Sequence, residues 1–195
     1  VMKNKVNLNP RILVLVLIIL IAALSRLIPH MHNFSPIGAI CLFGAAFFKS
    51  KWKSFVVPLL ATWISDLYIN NVIYAKYFTS FTWFHSGALW SFSSYIVIIL
   101  FGSYLLRKKL SILNLGVGSV GAGLIFFIIS NFGVWISGLM YEKSLLGLIN
   151  CYIAGIPFLK GTLLGNAFYV PLLFGTFYLL ESRFKILSEK DLAYS

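Results

Sequence analysis

The residues best suited to chemistry lie between the first two apolar segments, where residues 26–48 read RLIPHMHNFSPIGAICLFGAAFF. The polar side chains of this stretch are Arg26, His30, His32 and Asn33. A charged group at membrane depth costs about 2.5 to 3.5 kcal/mol on insertion scales, so it often belongs to a functional site. Imidazole and amide groups can hold a polar ligand, and Pro29 and Pro36 stiffen the loop that presents them. The stretch predicts a ligand site, although Arg26 could also extend its stem to the membrane surface as an anchor.

Metal binding and catalysis are the alternative chemistries. His30 and His32 lie two residues apart, and His85 falls on the same side of the predicted membrane, so a site with three nitrogen ligands is geometrically possible. The sequence contains no HExxH or CxxCH motif, and its GxGxxG match at residues 116–121 lacks the preceding strand of a dinucleotide fold. We therefore expect neither an enzyme nor a cofactor, and a histidine-based metal-binding protein stays open as an alternative.

The composition indicates an integral membrane protein. Hydrophobic residues make up 59% of the 195 residues, charged residues only 11%, and the mean hydropathy is +0.90. A water-soluble domain has a lower apolar content. The net charge of +11 comes from short basic clusters between apolar runs and not from one basic patch, so we expect no nucleic-acid partner.

Apolar runs separated by basic clusters predict an all-α protein with six transmembrane helices in one domain, residues 1–195. The predicted helices are residues 12–28, 36–48, 55–70, 86–106, 115–136 and 158–180. The second run is shorter than the roughly 20 residues that cross a bilayer, so it must gain length from its neighbours or lie where the membrane is thin. A secretory signal peptide is the alternative interpretation of the first run, because residues 23–25 loosely resemble a cleavage site.

The distribution of basic residues predicts the orientation in the membrane. With the N-terminus inside, twelve of the 16 Lys and Arg residues fall on inner segments. The outer segments carry Arg26, Lys76, Lys143 and Lys160. Because positively charged loops stay in the cytoplasm, both termini are predicted to be cytoplasmic.

The remaining unusual polar and aromatic residues fall at the outer helix ends, where they predict a small-molecule pocket that opens outward. The candidate ligand-binding residues are Arg26, His30, His32, Asn33, Phe34, Trp83, His85, Asn131, Trp135, Lys160 and Asn166. Each has a structural alternative, because aromatics also form interfacial belts and helical asparagines also bond neighbouring helices. Asp66 is the only acid in a predicted span, and we expect it to form an ion pair with Arg26.

Small residues in the fifth predicted helix predict close helix packing. Gly118 with Ala122, and Ser119 with Gly123, have the four-residue spacing that lets membrane helices approach. This pattern supports an alternative function, a membrane scaffold or accessory subunit that does not transport. A cavity lined by the candidate residues would favour ligand binding, whereas an exposed groove of small residues would favour the scaffold.

Five runs of the sequence carry a resemblance to known membrane proteins: RLIPHMHNFSPIGAICLFGAAFF, VPLLATWISDL, WFHS, SNFGVWISG and CYIAGIPFLKGTLLGN, in this order. The sequence resembles an uncharacterised family of bacterial six-helix membrane proteins over residues 11–185. That family is similar to the substrate-binding S components of energy-coupling factor (ECF) vitamin transporters.

The resemblance implies that the protein binds a vitamin or similar micronutrient from the outer face, with the first outer loop helping to close the site. It also implies a transmembrane coupling subunit with separate ATPases as the partner. S components often dock on that subunit through an AxxxA motif in the first helix. Here Ala22 is followed four residues later by Arg26, and Ala23 by Leu27, so this sequence departs from the docking pattern.

Overall fold

The computed structural model describes residues 9–188, which form six α-helices joined by loops and short 3-10 and π turns. The helices are α1 Pro10–Leu24, α2 Ile37–Phe47, α3 Lys51–Tyr68, α4 Ala88–Leu106, α5 Ile112–Ser137 and α6 Leu145–Arg183. Lys3, Lys5 and Lys190, which contribute to the predicted orientation, lie outside the described residues. So do both chain ends.

Five of these helices are long and apolar enough to cross a membrane: α1 with its 3-10 extension to Leu27, α3 with its π extension to Ile73, and α4, α5 and α6. Helix α2 has 11 residues. At 1.5 Å per residue it is about 16 Å long, roughly half the thickness of the hydrocarbon core. Residues 9–188 therefore contain five candidate spans and one short apolar helix, where the sequence predicts six spans.

Helix α2 forms the centre of the bundle. It contacts all five other helices, and the side chains from Ala39 to Phe43 are fully buried. The Phe43 ring meets the rings of Phe174 and Phe177 on α6 edge-on, with centroid distances of 5.4 and 5.9 Å. A helix that is apolar on every side is enclosed by protein or lipid, and here the enclosing groups are the neighbouring helices. The short length of α2 is therefore compatible with burial.

One basic residue, Arg107, satisfies carbonyl groups at the C-terminal end of α2. Arg107 on the loop after α4 donates from Nε to the carbonyl of Ala45 at 2.9 Å, and from Nη2 to the carbonyl of Phe48 at 3.0 Å. Carbonyls at a helix C-terminus lack intrahelical partners. Arg107, one of the twelve basic residues predicted to lie on inner segments, thus also fixes the end of the central helix.

Helix α6 is much longer than the predicted segment of residues 158–180. It has 39 residues and begins at Leu145, so residues 145–157, which lie outside the predicted helices, are helical. Residues 145–157 contain no charged side chain that would end a membrane helix. Pro157 lies inside the helix, and membrane helices tolerate proline because neighbouring groups can satisfy the freed carbonyl.

Candidate functional site

A cavity of about 550 Å³ lies between the loop that joins α1 to α2 and the facing parts of α3 to α6. Pockets of 300 to 1,000 Å³ are typical of small-molecule sites. The loop supplies most of the polar groups, and the helices supply mainly isoleucine and aromatic side chains. The lining residues are Arg26, Leu27, Ile28, Pro29, His30, His32, Asn33, Ser35, Ile37, Gly38, Ile69, Ile73, Tyr74, Tyr95, Ile98, Ala122, Phe126, Thr162 and Asn166.

The cavity brings together five of the eleven candidate ligand-binding residues. These are Arg26, His30, His32, Asn33 and Asn166. Four come from the first outer loop, and Asn166 reaches the same space from the middle of α6. The other six, Phe34, Trp83, His85, Asn131, Trp135 and Lys160, do not line this cavity.

Two of the aromatic candidates make packing contacts. The Phe34 ring lies 5.7 Å from the ring of Tyr169 on α6. The Trp83 ring stacks on Trp63 of α3 at 6.3 Å, and the Trp83 carbonyl accepts a 3.2 Å hydrogen bond from Trp63 Nε1. The two contacts between Trp83 and Trp63 hold the loop between α3 and α4 against α3.

Three candidates on α5 and α6 are likewise engaged elsewhere or exposed. Asn131 donates from Nδ2 to the carbonyl of Phe127 in its own helix at 2.8 Å. Trp135 donates from Nε1 to the carbonyl of Glu142 at 3.0 Å and so closes the turn between α5 and α6. Lys160 is exposed on α6.

The three histidines do not converge. His85 Nδ1 accepts a 3.2 Å hydrogen bond from the Gly87 N–H just before α4. Burial lowers the pKa of His85, and the nearby Arg26 charge lowers it further while Asp66 opposes the shift, so the neutral ring is favoured. His30 and His32 lie at the cavity. Among residues 9–188 no group of three or more His, Cys, Asp or Glu side chains is placed to hold a metal ion.

Arg26 and Asp66 form a buried ion pair beside the cavity. Arg26 Nη2 lies 2.7 Å from Asp66 Oδ1, and the two side chains are 14% and 10% exposed. Arg26 Nη1 also donates to Ser65 Oγ and, at 3.4 Å, to the Thr62 carbonyl. The carboxylate and these acceptors offset the cost of burying the guanidinium. The charge of Arg26 is therefore largely neutralised by α3.

The loop between α1 and α2, which the sequence predicts to face outward, rests directly on two glycines of α6. A Cβ atom at Gly161 would overlap the carbonyl oxygen of His32, and one at Gly165 would lie 2.8 Å from the Ser35 backbone nitrogen. Asn33, between these contacts, has a left-handed φ of 58°, which asparagine tolerates better than most residues. The sequence-based prediction did not include this contact between the loop and α6. The GTLLG run at residues 161–165 does have the small-xxx-small spacing that permits close approach.

The four small residues of α5 that the sequence predicts to pack against another helix are covered by helices of the same chain. Gly118, Ala122 and Gly123 are buried, and Ser119 gives its carbonyl to Asn166 Nδ2 on α6 at 3.0 Å. These four residues therefore form no exposed groove in the described part of the chain.

Several lining residues were absent from the sequence-based prediction. Ile69 and Ile73 reach the cavity from the π turn Ile69–Ile73 that extends α3, and Tyr74 directly follows this turn. Such turns are rare and often lie at functional sites. No sequence signal distinguishes these apolar side chains from lipid-facing ones.

Residues 9–188 thus form an all-α bundle that has five helices long and apolar enough to cross a membrane and a pocket at one end. The chain belongs to DUF6580, a family of unknown function, whose family model matches residues 6–187. No curated protein and no solved structure matches the chain. These comparisons do not connect the family to the S components of ECF transporters.

Proposed function

We propose that the protein binds a vitamin or similar small micronutrient from the outer face of a bacterial inner membrane and thereby serves its uptake. The observation that carries this proposal is the 550 Å³ cavity, which lies at the end of the bundle that the basic residues assign to the outside. Most of its polar groups come from the loop between α1 and α2, and most of its apolar groups come from the helices. This division suits a small ligand with a polar part and an apolar body.

The contacts of the outer loop support its role as the entrance. In the described part of the chain, residues 28–35 form hydrogen bonds only with residues 25–35. The Ile28 N–H donates to the Ser25 carbonyl, and the Phe34 N–H donates to the Met31 carbonyl. The His30 ring contacts the same Met31 carbonyl. The loop thus rests on α6 by packing. It can lift from α6 without breaking a hydrogen bond to that helix, which would admit a ligand.

Transport would require a partner. The sequence contains no GxxxxGK[ST] phosphate-binding loop, so in this proposal ATP hydrolysis comes from separate ATPases that act through a transmembrane coupling subunit. Membrane lipid surrounds the bundle, and nucleic acid plays no part. The scaffold and histidine-metal alternatives have less support, because the small residues of α5 are covered and the three histidines do not converge.

Mass spectrometry of small molecules that co-purify with the protein in mild detergent tests this function. We expect one organic molecule at a near-stoichiometric amount, and we expect His30→Ala to weaken its binding about fivefold, the scale of one lost hydrogen bond of roughly 1 kcal/mol. His30 is exposed, so the melting temperature should stay the same. His85→Ala removes an imidazole that does not line the cavity and should retain the molecule. Absence of any bound molecule, or equal retention by both variants, would contradict the proposal.

Single-cysteine labelling in intact cells tests the orientation. Lys51 begins α3, and Lys143 lies in the turn between α5 and α6; both are exposed. The native Cys41 and Cys151 are buried and give little background. A membrane-impermeant maleimide should label Lys143→Cys and leave Lys51→Cys unlabelled until the cells are opened. The reverse pattern would place the cavity on the cytoplasmic side and exclude uptake from outside.

A further inference from the structure

The cavity presents almost no uncompensated charge. Among residues 9–188, Arg26 is the only Lys, Arg, Asp or Glu residue that lines it, and its guanidinium is paired with Asp66 and bonded to the Ser65 hydroxyl. A phosphate or a quaternary amine would leave water for this space without a free countercharge, which is costly. The lining therefore favours an uncharged ligand.

Within residues 9–188, two buried side-chain atoms of the lining residues have no hydrogen-bond partner. Asn166 is 1% exposed, and its Oδ1 is unpartnered, as is Ser35 Oγ. Asn166 Nδ2 donates to the Ser119 carbonyl at 3.0 Å. Because a carbonyl can only accept, this bond fixes the amide orientation and leaves Oδ1 as an acceptor in need of a donor. An unmade hydrogen bond at a buried atom is unfavourable, so a ligand that supplies the donor gains affinity here.

The N-terminus of α2 brings donors to the same place. N–H groups in the first turn of a helix have no intrahelical acceptor, and Pro36 provides no side-chain cap. Ile37 and Gly38 of this turn line the cavity. The Asn166 amide packs directly on Gly38, where a Cβ atom would overlap it. An acceptor for a ligand N–H and donors for a ligand carbonyl therefore lie side by side.

Flat aromatic walls complete the site. The rings of Tyr95 and Phe126 both line the cavity and stack on each other, with an interplanar angle of 9° and centroids 6.0 Å apart. Aromatic faces pack well against other planar rings. The helical side of the cavity is thus suited to a ring system and not to a flexible chain.

We propose that this cavity, as the ligand site of the proposed function, selects an uncharged planar ring molecule that carries a lactam-type edge, an N–H donor beside a C=O acceptor. The N–H faces Asn166 Oδ1, the C=O faces the first turn of α2, and the ring lies against Tyr95 and Phe126. The edge enters between Gly38 and Ser35 when the loop lifts from α6, and the Ser35 hydroxyl then has a partner.

Equilibrium dialysis with four bicyclic probes of similar size tests this ligand class on the full chain in detergent. The probes are 2-quinolinone, its N-methyl derivative, quinoline-2-carboxylate and N-methylquinolinium. We expect 2-quinolinone to bind at least about tenfold more tightly than each of the others, because only it is neutral and carries the N–H donor. Equal binding of the N-methyl derivative, tighter binding of either ion, or no binding of 2-quinolinone would overturn the proposal.

Two variants that each remove a hydroxyl test where the ligand binds and separate an effect on binding from an effect on stability. Ser35→Ala removes a hydroxyl that has no partner in the ligand-free protein, so it should leave the melting temperature unchanged and weaken 2-quinolinone binding about three- to tenfold. Thr62→Val removes another unpartnered hydroxyl that does not line the cavity and should leave binding unchanged. Equal effects of the two variants would overturn the assigned position. A co-purifying molecule that is charged would overturn the ligand class while supporting the proposed function, whereas the absence of any bound molecule would contradict both.

Discussion

Asp66→Asn and Arg26→Leu are each expected to lower the free energy of unfolding by about 3 to 5 kcal/mol, because each leaves one buried charge without its partner. The two side chains are 14% and 10% exposed and 2.7 Å apart. Water therefore screens the pair only weakly, and neither group can recover full hydration after its partner is lost. Thermal or denaturant unfolding in detergent measures the loss.

The double variant distinguishes a pair from two independent residues. Asp66→Asn with Arg26→Leu leaves no unpaired charge, so it should be clearly less destabilised than the sum of the single variants. Lys160→Leu, which removes an exposed outer cation, should change stability by no more than about 0.5 kcal/mol. Additive losses in the double variant would show that Arg26 and Asp66 do not act as a pair.

Charged residues are the part of this site that sequence reasoning can locate. A spanning segment that contains an acid requires a partner, and Arg26 falls at the same predicted membrane boundary as Asp66. The outer loop could likewise be identified, because His30, His32 and Asn33 are polar residues in an otherwise apolar sequence. Such residues stand out since the membrane penalises them individually, whatever their neighbours are.

Apolar lining residues and helix register could not be predicted in this way. Ile98 and Phe126 line the cavity, but in a membrane protein the lipid-facing surface is as apolar as the core, so hydropathy does not distinguish them. Asn131 and Trp135 lie on α5, as does the lining residue Phe126, yet they bond to Phe127 and Glu142.

The position of α2 at the centre of the bundle could not be predicted from the sequence pattern either. Its 11 residues are too few to span the membrane, and the sequence offered only an added extension or a thin membrane as explanations. Enclosure by five other helices is a property of the tertiary packing. The length of α6 was missed for a related reason, since Pro157 and Asn150 are typical loop residues that a membrane helix can still contain.

The second large effect on stability is expected where the loop between α1 and α2 packs on α6. Gly161→Ala should lower stability by about 1 to 3 kcal/mol, the usual cost of overpacking, because the new methyl group would overlap the His32 carbonyl, a backbone atom that cannot rotate away. The loop must then lift from α6. Since His30, His32 and Asn33 all line the cavity, the variant should also lose the co-purifying molecule.

Gly175→Ala provides a matched control on the same helix. Apart from its chain neighbours and the backbone of its own helix, no atom would lie within 4 Å of a Cβ atom at Gly175. Alanine should therefore be neutral there, or raise stability by about 0.5 to 1 kcal/mol through its better helix propensity. Melting temperature and ligand retention, measured together for both variants, separate the loop contact from a general effect of glycine replacement. If Gly161→Ala melts and retains ligand as Gly175→Ala does, then the outer loop is not held on α6 in the way described, and it cannot close the cavity from that position.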